Sequence, residues 1–116
     1  QSARERRAEP LGPVHRAAHE IIHASTFRGC AFANTVAEVG PTLPSVLSIA
    51  ATHKKEVCQA IMALLPARKD AERIAWAATL ALDGAIVNAQ TGGHSADAAL
   101  AGLRTILTTL DSALQR

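Results

Sequence analysis

"SADAALAGLRTILTTLDSAL", residues 95–114, decides the fold, because its apolar positions obey a single period. Ala99, Leu103, Ile106, Leu110 and Ala113 recur at heptad spacing, and Leu100, Leu107 and Leu114 stand one step round the same cylinder. The pattern predicts a helix with a double apolar stripe, wider than one partner helix requires. Ser95 is placed to cap it, and Asp97 to sit in the first turn, where an acid meets the positive end of the helix dipole.

Working backward, the stretch over 69–91 is apolar nearly all round from Ile74 to Ala89, which predicts burial on most sides. One of its faces is small, with Ala71, Ala75, Ala78, Ala85 and Ala89, and would let another helix approach closely. The other carries Trp76, Leu80, Asp83 and Val87. Breakers divide the rest of the chain: Pro10, Gly12 and Pro13, then Gly40, Pro41 and Pro44, then Pro66, then Gly92 and Gly93. Between them the spacing predicts helices over 13–25, 27–39, 44–65, 69–91 and 95–114. No stretch sustains strand alternation, and no internal repeat is visible.

The expected fold class is therefore all-α, an antiparallel helical bundle forming one domain over 1–116. Ala and Leu dominate the apolar content, with one Trp, two Phe and no Tyr, which favours helices over sheets. The last two long helices carry more apolar surface than three short companions can cover. A symmetric homodimer would resolve the excess, two helices from each subunit joining in a four-helix bundle. The seam is expected from Ala78, Ala85, Ile86, Ala89, Leu100, Leu103, Ile106, Leu107, Leu110 and Leu114.

Composition also excludes functions. A net charge of +2 is too mild to mark a nucleic-acid binder, and Glu5 and Glu9 dilute the arginines at 4, 6 and 7. Basic and aromatic residues do not alternate, so bases have nothing to stack on. No apolar run approaches the roughly 18 residues of a membrane span. Two cysteines and no signal-peptide pattern fit a reducing cytoplasm, the expected compartment.

Few residues suggest chemistry. His15, His19 and His23 follow one another at intervals of four; two such histidines can share a metal, but eight residues rise about 12 Å, too far for all three. A polar flank or pocket wall is the expected role, and no metal or cofactor is expected. His53 interrupts the apolar stripe Val46, Ala50, Val57, Ile61 and Leu64, either as a core histidine bonded to a neighbour or as a polar fixture in an apolar cavity. Asp83 needs a partner if buried, with His53, Arg28 or Asn34 as candidates. Cys30, near Arg28 and a possible Thr26 cap, lies where a thiol pKa is lowered, yet Ala31, Phe32, Ala33, Val36 and Ala37 describe ordinary helix packing. No catalytic triad, phosphate loop or paired carboxylates stand out, so no catalytic residue is assigned. A small helical enzyme or thiol sensor using Cys30 or His53 is the alternative class.

Three stretches in order, "RGCAFANTVAEV" (28–39), "LPSVLSIAATHKKEV" (43–57) and "LALDGAIVNAQTGG" (80–93), resemble the C-terminal domain of TetR-type (tetracycline-repressor-like) transcriptional regulators. The resemblance covers about residues 11–114. It implies an all-helical effector-binding and dimerisation domain whose last two helices form the dimer interface and whose earlier helices enclose a ligand cavity. Nothing in the chain resembles the helix-turn-helix that such regulators carry before this domain, so contact with DNA is expected only through that missing part. The family's inducers vary too widely to transfer individual contacts. From helical geometry instead, the expected ligand-contacting set is His19, Phe27, Cys30, Asn34, Ala50, His53, Val57, Ile61, Trp76, Leu80, Asp83 and Val87. The expected ligand is small and largely apolar.

Overall fold

The computed structural model describes residues 9–24, 44–90 and 93–115, with the side chains of 44–51 outside that description. Among the described residues the chain is all-helical: α1 (Gly12–Ile22), α2 (Pro44–Met62), α3 (Ala71–Ala89) and α4 (Gly93–Leu114). The helix expected over 27–39, with Phe27, Cys30 and Asn34, lies outside the described residues. So does the side chain of Ala50.

Helices α3 and α4 form an antiparallel hairpin, held at both ends. At one end Gly93 takes φ +53°, a left-handed conformation that L side chains rarely adopt, and the chain reverses there. This starts α4 two residues before Ser95, which lies inside the first turn rather than capping it. At the other end Arg68 donates from Nη1 to the carbonyl of Leu114 at 2.7 Å, satisfying a carbonyl that the last turn of α4 leaves open. The same guanidinium grips Asp70 through Nε–H and Nη2–H, at 2.6 and 3.2 Å. Asp70, the residue before α3, is thereby fixed from the side.

The core fills the space between the alanine face of α3 and the leucines of α4. Ala75, Ala78, Leu103 and Leu107 are almost completely buried, and α1 adds Val14, Ala18 and Ile22, with Leu11 just before it. Helix α2 packs on α3 and contributes Cys58 and Ile61. Small residues on one helix facing large ones on the other let the axes come close while the gap stays filled. Thr79, fully buried, returns its hydroxyl proton to the carbonyl of Ala75 at 2.8 Å, so no polar atom is stranded there.

Helix α1 starts differently from the others. Leu11 has no capping side chain, yet its N–H donates to Oδ1 of Asp111 at 3.0 Å, across 100 positions of sequence. A residue near the end of α4 thus does the work that a local Ser or Asp does elsewhere. Pro13, inside the first turn, removes one N–H that would otherwise need a partner.

Most residues expected at the dimer seam also serve the core of the single chain. Ala78, Ala85, Ala89, Leu100, Leu103, Leu107 and Leu114 are all buried inside the single chain. Ile86 and Leu110 are half-buried, and Ile106 is 45 % exposed. The physical reason is that the alanines of α3 and the leucines of α4 bury one another, with α1 packed against both helices. Leu107→Arg is accordingly expected to unfold the chain, because it buries an unpaired charge. Leu103→Ala should cost about 2–5 kcal/mol in urea titration. A folded, monomeric Leu107→Arg chain would return that residue to the seam.

Candidate functional site

Two surfaces of α3 remain after the core is assigned. The first is its outer groove with α4, of about 650 Å³, with Leu80, Gly84, Val87, Asn88, Gly102 and Ile106 among its lining residues. Leu103 and Ala85 form part of its wall from beneath. Three large apolar side chains stand open to solvent here: Leu80 at 66 %, Val87 at 47 % and Ile106 at 45 %. Between them the walls are small. A Cβ built on Gly84 or Gly102 would meet nothing within 4 Å, so nothing in the described chain fills the space that these glycines leave. Each glycine costs its helix roughly 0.5–1 kcal/mol relative to Ala.

The second surface is the side of α3 that meets α2. Lys54 Nζ reaches Asp83 Oδ1 at 2.7 Å, with both side chains about 30 % exposed. Two of the partners expected for Asp83, Arg28 and Asn34, lie outside the described residues. Among the described residues its ion pair is with Lys54, one position beyond His53, because Lys54 has the reach to bridge two helices whose backbones are separated by apolar packing. Trp76 and Val57 pack partly buried against the core, and His53 is half-buried. Ile61 belongs to the core itself at 5 % exposure.

The expected ligand-contacting set is thus divided. His53, Val57, Trp76 and Asp83 share the α2–α3 side. Leu80 and Val87 open into the α3/α4 groove together with Ala85, Leu103 and Ile106, which were expected at the dimer seam. His19 lies apart, exposed on α1. Its ring stacks on His23 with centroids 4.1 Å apart and planes 26° from parallel. Nδ1 of His23 lies 2.9 Å from the carbonyl of His19. Rings stacked in this way direct their lone pairs side by side rather than toward one shared point, which is the arrangement of a polar flank. Among the described residues no group of three or more His, Cys, Asp or Glu is gathered that could hold a metal.

Sequence reading missed Lys54, Gly84, Asn88, Gly102, Arg68 and Asp111. The two glycines carried a signal, since an unexplained Gly within a helix points to a close approach. Lys54 and Asp111 carried none, because a charged residue at helical spacing is ordinarily a solvated one. No described helix is long and apolar enough to cross a membrane. Compared with known proteins, the chain matches no family model, no curated protein and no solved structure.

The Lys54–Asp83 pair is partly solvated, so its coupling should be small. A double-mutant cycle with Lys54→Met and Asp83→Asn is expected to give about 0.5 kcal/mol, falling in high salt. A coupling of several kcal/mol would mean that the pair is sealed from water.

Proposed function

We propose that this chain is the effector-sensing and dimerisation domain of a TetR-like transcriptional regulator, a repressor that binds a small, largely apolar ligand. A helix-turn-helix in a preceding domain would supply the contact with DNA. The observation that carries this reading is the outer α3/α4 groove. It combines exposed Leu80, Val87 and Ile106 with helical glycines that the described fold does not use. Monomeric proteins rarely leave such apolar residues together, and small residues between them allow a second helix pair to approach closely.

The occupant of the groove is a second copy of the same hairpin. A two-fold contact sets Ile106 and Gly102 of one subunit against the corresponding surface of the other, closing a four-helix bundle. Of the seam expected from sequence, Ile106 stays on this surface; Leu103 and Ala85 support it from below. The ligand-binding role falls to the α2–α3 side, where His53 and Trp76 stand among apolar neighbours and Asp83 is held by Lys54. A ligand with an apolar body and one or two polar groups suits such walls.

The dimer and the ligand site have separate tests. Light scattering at micromolar concentration should show a dimer, and Ile106→Arg should give a folded monomer, since that side chain is not needed by the core. A monomeric parent chain would remove the dimer.

In a thermal-shift screen, apolar compounds that stabilise the parent by mass action should lose most of their effect in Trp76→Ala or His53→Ala. Full ligand response in both folded variants would place the ligand elsewhere.

A further inference from the structure

Asp111 is the one buried residue among the described Asp, Glu, His, Lys and Arg side chains, at 5 % exposure. It sits in the last turn of α4, and its Oδ1 accepts the N–H of Leu11, just before α1. A small cleft of about 260 Å³ adjoins it. The charged and titratable groups facing that cleft are Glu9 ahead of α1, His15 and Arg16 on α1, and Arg104 on α4. From the turn before α3, Arg68 reaches Leu114, one residue short of a full turn beyond Asp111, with its charge already engaged by Asp70. Asp111 therefore holds a backbone amide, and no Lys or Arg among the described residues is ion-paired with it.

The placement has opposing consequences. A carboxylate at the start of a helix is favoured by the dipole and by the amide that it accepts. Removal from water disfavours its charge. Burial is the larger influence here and pushes the carboxyl up to about 6 from an ordinary 3.8; the Leu11 amide pulls it back, and the nearby Glu9 charge adds to the rise.

We propose that Asp111 is a proton-operated latch, whose neutral form holds the start of α1 on α4 and whose ionised form loosens that docking. The neutral acid keeps the carbonyl-type oxygen that Leu11 needs, while shedding a charge that the site solvates poorly. Because the folded state holds this proton more tightly than the unfolded chain, it binds more protons between about pH 4 and 6, and stability falls as pH rises through that window. The added stability is complete below about pH 4 and gone above about pH 6. The latch stands whether or not the chain senses a ligand, since it uses only α1, α4 and the residues between them and solvent.

Amide hydrogen exchange over α1 in the 116-residue chain, corrected for the intrinsic pH dependence of exchange, tests the latch. Protection of the α1 amides should be about tenfold higher at pH 5 than at pH 7.5. Asp111→Asn keeps an acceptor oxygen without the charge, so its protection should be equal at the two pH values. His15→Gln should keep the response of the parent, and Glu9→Gln should reduce it without abolishing it, since the Glu9 charge only adds to the effect of burial. An unchanged parent, a response that survives Asp111→Asn, or one that vanishes with His15→Gln would each overturn the latch. Should Asp111→Asn fail to fold, carbon NMR of the Asp111 carboxyl in the parent decides. A midpoint near 6, shared by α1 amide shifts, supports the latch; a midpoint near 4 overturns it.

Discussion

The contact between the alanine face of α3 and the leucine stripe of α4 is the constraint on which the other helices depend. Ala75, Ala78, Ala85 and Ala89 bring the two axes close, and Leu100, Leu103 and Leu107 fill what remains. Neither helix alone could bury its apolar surface. Together they make a hairpin with two long sides, and each further feature follows from what covers each side. The ends are fixed by different devices. Gly93 reverses the chain through a backbone conformation closed to most residues, while Arg68 closes the other end by bonding the Leu114 carbonyl of α4.

Helix α1 takes one side of that hairpin, and Asp111 accepts a hydrogen bond from the residue just before it. Short helices are marginal by themselves, so α1 relies on packing and on an imported cap. Val14, Ala18 and Ile22 give it one buried face, and Leu11 both packs and donates to Asp111. The opposite side is left with Leu80, Val87, Ile106 and the helical glycines. The buried acid and the open groove are thus linked, since both follow from the side on which α1 docks.

Much of the architecture was legible in the amino-acid pattern because helices advertise themselves by period. Helices expected over 44–65, 69–91 and 95–114 occur as α2, α3 and α4, with ends displaced by up to a few residues. Those ends are set by single interactions, such as Gly93 against a Ser95 cap, that periodicity does not weigh. The candidate site was less legible. Heptad counting grouped Leu103 and Leu107 with Ile106, yet adjacent positions on a helix point about 100° apart, enough to send Leu107 into the core and leave Ile106 in water. Asp83 was recognised as a residue needing a partner, but a long flexible Lys54 supplied it from a neighbouring helix, where spacing along one helix gives no warning.

By itself, then, the sequence determined the helical class, the four described segments, the small face of α3 and the broad apolar stripe of α4. These are local properties, written in the 3.6-residue period and in the placement of Gly and Pro. Only the tertiary structure decided which side of the hairpin α1 covers, which leucines become core, that Asp111 would be buried, and that Leu80, Val87 and Ile106 would share a groove. Those outcomes depend on contacts between residues as far apart as Leu11 and Asp111. An apolar stripe records that a surface must be buried, but it carries no mark of the partner that will bury it.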